Sequence, residues 1–251
     1  MNIKVFITGA SSGIGEYIAY EYAKRGATIG LTARRKNLLD QVAAKCKELG
    51  GEPIIYQFDV RDADSTKQAI DDFTQKNNGI DIVIANAGIS GKVDLQSGNS
   101  DQTNRMLSTN ILGVSNTVLP VIPTMLKQKL GKVVVVSSIA GFRALPSRSS
   151  YSASKIAIRF MNNSWRYTFQ KQGIKFITIC PGFIETDMTN QNRFKMPFLM
   201  NVDVFAKKMI KAIDKNKKTY IAPWQWNLIV PLIRIVPDWL INFAASKKVQ
   251  K

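Results

Sequence analysis

The chain has 251 residues, enough for one large α/β domain with a substantial buried core. It contains no histidine and two cysteines, Cys46 and Cys180. This excludes Ser-His-Asp and Cys-His nucleophiles, a histidine general base, a disulfide framework and a structural zinc site, so no metal is expected. The formal net charge of +17 comes from lysines scattered along the chain, dense only at 207–218 and 247–251, and it reads as a solvated surface. No basic stripe interleaves with aromatic residues, so nucleic acid is not an expected partner.

Residues 1–7 are too short in their apolar part for a signal peptide and lack a cleavage site; they enter a first strand almost at once. Free thiols and this N-terminus lead us to expect a cytoplasmic location. Strands are predicted at 3–7, 28–33, 53–58, 81–85, 132–136 and 175–179, with amphipathic helices at 15–24, 37–49 and 64–75 between the first of them. The runs DIVIA (81–85) and KVVVV (132–136) are almost continuously apolar rather than alternating. That pattern belongs to parallel strands covered on both faces. Strand–helix alternation without a break in composition predicts a Rossmann-type, doubly wound parallel sheet in a single domain, residues 1–223. A helix at about 203–214 and a short strand at 219–222 complete it.

Beyond lies an apolar extension, 224–251, in which Pro231 and Pro237 are expected to break the helix, giving a helix-break-helix cap and no membrane span. It is suited to packing on the domain, to an oligomer contact, or to a membrane interface beside Lys247 and Lys248.

Gly9, Ser11, Ser12, Gly13, Ile14 and Gly15 follow the first strand directly and open the first helix. Glycines here let the backbone approach a pyrophosphate, whose charge is met by N–H groups at the helix N-terminus. The second strand ends at Ala33-Arg34-Arg35. A carboxylate near this point would select a ribose 2′-hydroxyl, whereas two guanidinium groups suit a 2′-phosphate, so NADP(H) is expected over NAD(H).

Tyr151 and Lys155 lie one helical turn apart on the same face, where a cation beside the phenol should lower its pKa. Tyr20 and Lys24 have the same spacing and are a decoy. Thirteen residues before Tyr151, at the end of the fifth strand, is Ser138, able to orient a carbonyl; the residue thirteen before Tyr20 is Ile7, inside a strand. Ser137 is the rival to Ser138, but its strand position should turn it to the other side. The paired Asp71 and Asp72 sit on a polar helix face and need no catalytic role.

These landmarks resemble the single-domain short-chain dehydrogenase/reductases. Thr8 through Gly15, Asn86-Ala87-Gly88, Asn110, the Ser138/Tyr151/Lys155 set and Pro181-Gly182 occur in that family's order and spacing over nearly residues 3–222. The resemblance implies that Tyr151 exchanges a proton with the substrate oxygen of a carbonyl or alcohol. It implies that Lys155 bonds the nicotinamide ribose, that Ser138 holds the carbonyl, and that Asn110 holds a water. Asp59 and Val60 would contact the adenine, Asn86, Ala87 and Gly88 would support the cofactor, and Pro181, Gly182, Ile184 and Thr186 would close over the nicotinamide. Read from the residues alone, Asn86 and Asn110 are equally suited to satisfying backbone groups.

The substrate side is expected in a lid at about 183–201, rich in Met and Phe. Phe183, Phe194 and Phe198, with Phe142 and Leu145 beside Ser138, would line an apolar pocket for a hydrophobic carbonyl or alcohol such as an oxo-acyl or lipid-like compound. The same lid could pack on the protein's own core. The resemblance also implies a homodimer or homotetramer paired through the helices bearing Asn110 and Tyr151. Two other readings of the same fold are a catalytically silent NADP(H) sensor or scaffold and a peripheral membrane protein acting through its C-terminal segment.

Overall fold

The computed structural model describes residues 2–91, 93–94, 96–144, 148–169, 171–190, 195–237 and 239. Strands β1 (Lys4–Thr8), β2 (Thr28–Ala33) and β3 (Glu52–Gln57) alternate with helices α1 (Gly13–Ala23), α2 (Lys36–Glu48) and α3 (Ala63–Lys76). After β4 (Ile82–Ala85) one long helical run carries the chain back: α4 (Asp101–Leu107), a π-helical turn at Ser108–Leu112, α5 (Gly113–Val118), a tight 3₁₀ turn at Leu119–Val121, and α6 (Ile122–Gln128). Then come β5 (Gly131–Val136), α7 (Ser149–Phe169), β6 (Ile174–Pro181), the short α8 (Asp187–Asn190), α9 (Val202–Asp214), β7 (Thr219–Ala222) and α10 (Trp226–Ile235).

All seven strands are parallel, in the order β3-β2-β1-β4-β5-β6-β7. The order reverses beside β1, so a crevice opens at the carboxyl ends of β1 and β4. Alternate side chains of each strand feed two cores. Val5, Ile7, Val134 and Val136 pack under α1, α2 and α9 with Ile18, Tyr22, Leu39, Phe205 and Met209. Phe6, Val83, Val133 and Val135 pack on the other face with Ile70, Phe73, Val114, Val118, Met125 and Ile158. This explains the continuous apolar runs: with both faces covered, a strand has no solvent side on which to place polar residues. Phe6 meets Phe73 edge-on at 5.5 Å, and a Cβ on Gly30 would lie 2.5 Å from the Phe6 ring, so β2 yields space there to an aromatic neighbour.

The structure departs from the sequence reading in three places. Strand β6 runs on to Pro181, because Cys180 and Pro181 pair with Ile221 and Ala222 of β7. The helical run between β4 and β5, which the strand pattern left unassigned, carries Asn110 on its π turn. Pro231 does not break the C-terminal helix; α10 passes through it and ends at Ile235, one residue before Val236 and two before Pro237. Among the described residues, no helix is long and apolar enough to cross a membrane, and no cluster of carboxylates and thiols could hold a metal.

Candidate active site

A cleft of about 460 Å³ lies at the carboxyl ends of the strands. Its first wall is the turn from β1 to α1. Gly9 (φ 69°) and Gly13 (φ 60°) both take left-handed backbone that L side chains disfavour. A Cβ on Gly9 would lie 2.8 Å from Ala87 Cα, and one on Gly15 would lie 2.3 Å from the Gly9 carbonyl oxygen. Gly9 and Gly13 thus open the cradle toward the cleft, while Gly15 does not line it and instead lets α1 press onto the strand end. The loop after β4 is tied to the same turn. Asn86 Nδ2 donates to the carbonyls of Thr8 (3.0 Å) and Gly9 (3.1 Å), and the Asn86 and Ala87 amides donate to Thr8 Oγ1. Asn86 therefore satisfies backbone groups, as one of its two sequence readings proposed.

At the end of β2 the two arginines do different things. Arg35 reaches across the turn and donates to Ser11 Oγ (3.1 Å) and Ser12 Oγ (2.8 Å). Arg34 is half-exposed, with Nη1 3.7 Å from Asp59 Oδ2. Arg61 bonds the same carboxylate at 2.8 Å, and with Arg34 it holds Asp59 below the usual carboxylate range against the opposing effect of burial. Ser11, Ser12, Arg34, Arg35, Asp59 and Val60 all line this arm, together with Phe58.

The opposite arm is lined by Gly88, Val136, Ser137, Ser138, Tyr151, Lys155, Pro181, Gly182, Ile184 and Thr186. Lys155 is buried; its Nζ donates to the Val136 carbonyl at 2.9 Å and lies 5.8 Å from the centre of the Tyr151 ring. Ser138 Oγ accepts from the Ala140 amide and faces the Pro181 carbonyl at 3.4 Å, whereas Ser137 Oγ donates to the Lys155 carbonyl at 2.7 Å. The two adjacent serines thus serve different partners, and Ser137 is committed to holding α7. The decoy resolves too: Tyr20 donates to Glu16 and Lys24 pairs with Glu21 on the outside of α1. Asp71 and Asp72 pair with Lys67 and Lys76 in solvent.

Asn110 is fully buried and does not line the cleft. Its Oδ1 accepts from the Ile89 amide (2.8 Å), and Nδ2 donates to the Ile89 carbonyl and to Ser154 Oγ (both 3.0 Å). Both amide hydrogens are used, so the side chain has no donor left for a water and ties the loop after β4 to α7.

The family model for short chain dehydrogenases matches residues 4–196. The chain belongs to the short-chain dehydrogenase/reductase family. It is 32% identical over 241 residues to an uncharacterized oxidoreductase of Myxococcus xanthus, spanning 96% of this chain and 95% of that one. It is 35% identical to the 11-beta-hydroxysteroid dehydrogenase-like 2 of Arabidopsis thaliana, over 95% of this chain and 79% of the plant protein. A short-chain type dehydrogenase/reductase from Mycobacterium marinum shares the fold, with a TM-score of 0.80 at 23% identity, covering 87% of this chain and 93% of that one. Members of the family are oxidoreductases that use a nicotinamide cofactor and act on small molecules.

In this short-chain dehydrogenase/reductase, burial governs the two titrating groups of the cleft. It pushes the Lys155 ammonium down to about 8. It also raises the Tyr151 phenol above its ordinary value, with the Ser138 hydroxyl and the Arg148 guanidinium pulling the other way. The sequence reading anticipated a lowered phenol; here the desolvation of a phenolate outweighs the Ser138 hydrogen bond and the Arg148 charge.

The substrate side is less concentrated than anticipated. Ser138 lines the cleft, but Phe142 lies under the Arg159 guanidinium (4.4 Å), and Phe183 and Phe198 meet the Trp226 ring at 6.1 and 6.0 Å. Leu145 and Phe194 fall outside the described residues. Ile89, Ser90, Thr109, Asp187, Met188 and Thr189 also line the cleft and were not singled out. Thr189 carried a usable signal, since a Thr three residues after Thr186 suits a local staple: its Oγ1 donates to the Ile184 carbonyl (2.6 Å) and accepts from the Thr186 amide (3.0 Å).

The depressed Lys155 pKa predicts a stability signature of the cofactor-free chain. Lys155 deprotonates near 8 when folded but near 10.4 when unfolded, so between these values the unfolded chain binds more protons and stability rises with pH. Chemical denaturation should show this gain, on the order of 3 kcal/mol across the window, in wild type relative to Lys155→Met. Parallel pH profiles for the two proteins would mean that Lys155 keeps its charge.

Proposed function

We propose that the chain is an NADP(H)-dependent oxidoreductase that interconverts a carbonyl and an alcohol on a hydrophobic substrate, with Tyr151 as acid and base. The observation that carries this reading is the convergence of Tyr151, Ser138 and Lys155 on one arm of a cleft whose other arm ends in Arg34 and Arg35. The left-handed glycines and the absent Cβ atoms along the turn leave a cradle that fits a pyrophosphate. Two guanidinium groups beside the exposed mouth suit the 2′-phosphate of NADP(H) better than a bare ribose.

The bound nicotinamide supplies the hydride donor or acceptor; the protein's residues do the rest. Ser138 Oγ, held by the Ala140 amide, orients the substrate oxygen. Tyr151, whose raised phenol keeps its proton at neutral pH, delivers that proton to the developing alkoxide. Lys155, fixed to the Val136 carbonyl, sits beside the phenol and stabilises the phenolate that remains. The apolar preference rests on the Phe183–Phe198–Trp226 cluster, whose Trp226 packs against Gly182 in the cleft wall, and it accords with the hydroxysteroid dehydrogenase-like protein among the relatives.

With NADPH and a series of ketones and oxo-acyl compounds of increasing chain length, turnover should rise with length. Tyr151→Phe should lower kcat by roughly 10²–10⁴-fold while NADPH still binds. Binding without turnover on any compound would shift the reading to a cofactor sensor. For the cofactor, Arg34→Ala should weaken NADPH by roughly tenfold or more and NADH far less, measured by fluorescence titration. Equal losses would point to packing damage instead.

We further propose pairing of subunits through the Asn110 run and α7, where Leu112, Leu119, Phe160 and Tyr167 are exposed at seven-residue spacing on each helix. Light scattering should find a dimer or tetramer that Phe160→Asp/Tyr167→Asp dissociates; a monomeric wild type would sink this pairing.

A further inference from the structure

Helix α10 is apolar on both sides. Its inner side is anchored: Trp226 and Val230 are 8% and 4% exposed, and the Trp226 ring packs on Phe183 and Phe198. Diametrically opposite, Leu228, Leu232 and Ile235 repeat at i, i+4 and i+7 and are 65%, 60% and 77% exposed. Trp224 just before the helix and Trp239 just after it are also mostly exposed. Two leucines and one isoleucine aligned on one face, with an exposed tryptophan flanking each end, are more than the scattered surface apolar residues of a folded domain.

Charge in this part of the sequence is one-sided. From 215 to 251 the sequence holds seven cations (Lys215, Lys217, Lys218, Arg234, Lys247, Lys248, Lys251) and a single carboxylate, Asp238. A cavity of about 200 Å³ beside Trp224 is lined by Lys208 and Lys217, with Lys217 Nζ 5.6 Å from the Tyr220 ring centre. A second copy docked on this face about a two-fold axis would bring these cations toward each other. An anionic bilayer surface meets them with opposite charge. At ten residues, about 15 Å, α10 is too short to span a bilayer and has the length of a helix lying in the interface.

We infer that the outer face of α10 docks this protein on the surface of an anionic phospholipid membrane. Leu228, Leu232 and Ile235 enter the acyl boundary, Trp224 and Trp239 sit at headgroup level, and Lys208 and Lys217 meet the lipid phosphates. Because the inner face of the same helix packs Trp226 against Gly182 in the cleft wall, docking places that wall of the cleft on the lipid side of the molecule. Only this last consequence rests on the reductase reading.

The test is co-sedimentation of the purified full chain, without cofactor, with vesicles of phosphatidylcholine alone and of phosphatidylcholine mixed with phosphatidylserine. Wild type should bind the mixed vesicles and lose most binding at high salt. Leu228→Gln/Leu232→Gln should lower affinity by roughly tenfold or more, and Lys208→Glu/Lys217→Glu should abolish the preference for the anionic lipid. Circular dichroism and oligomer size unchanged from wild type would show that the variants fold. No binding by wild type, or binding that both variants retain, overturns the proposal. So does a leucine variant whose only change is dissociation of a wild-type oligomer, which would assign the face to a second copy. The assay contains no cofactor, so its outcome is independent of whether NADPH is turned over.

Discussion

The first turn of α1 rests on the carbonyl of Gly9, at a separation that leaves no room for a methyl group on Gly15. That backbone-on-backbone contact sets how far α1 stands from β1, and therefore how wide the cleft opens beside the turn. Asn86 and Thr8 lock the loop after β4 to the same few atoms, so both walls of the crevice share one reference point. Asn110 then fixes the continuation of that loop to α7, which bears Tyr151 and Lys155. A chain of hydrogen bonds thus runs from the phosphate-binding turn to the helix bearing the phenol, its links part-buried or, at Asn110, fully buried, where an unpaired polar group is costly.

Burying Lys155 without a carboxylate partner is the other constraint. Its ammonium is met by the dipole of a backbone carbonyl at the end of β5, which offsets only part of the lost hydration; hence the depressed pKa. The same desolvation acts on Tyr151 with the opposite sign, so the phenol holds its proton more tightly while the neighbouring lysine gives up its own more readily than an exposed one. Such a pair is set to pass a proton at little cost in charge separation, and any bound group that brings hydroxyls to Lys155 shifts both groups toward their ionised forms.

Much of the fold could be read from the chain, for a physical reason. Strands covered on both faces have no choice but apolar side chains, so β4 and β5 announce themselves, and the glycine turn marks where the sheet meets its first helix. The candidate site was legible at Tyr151 and Lys155 through their one-turn helical spacing, and the resemblance to the family's order of landmarks, with Ser138 thirteen residues earlier, set that pair apart from Tyr20 and Lys24. Asn110 was not legible in its detail: its partners, Ile89 and Ser154, are 21 and 44 residues away, and only the folded chain brings them together. The same holds for Arg35, whose serine partners lie on another loop. The direction of the Tyr151 shift depends on burial, which spacing does not report. Pro231 misled because a proline inside a helix costs a hydrogen bond, yet here the buried Trp226 and Val230 in the turn before it anchor the helix.

The π turn at Ser108–Leu112 has a consequence for how this chain tolerates change in length. A π turn holds one residue more than the α-helical turn it replaces, so α4 and α5 are out of phase by about 100° although they form one continuous run. Removing a residue there would let the run close into a regular helix with better local hydrogen bonding. It would also swing Val114 and Val118 off the sheet, or Asn110 away from Ile89. Local preference and tertiary packing are therefore in conflict at this point, and the native state keeps a frustrated helix because one core and the Asn110 hydrogen bonds both have claims on it.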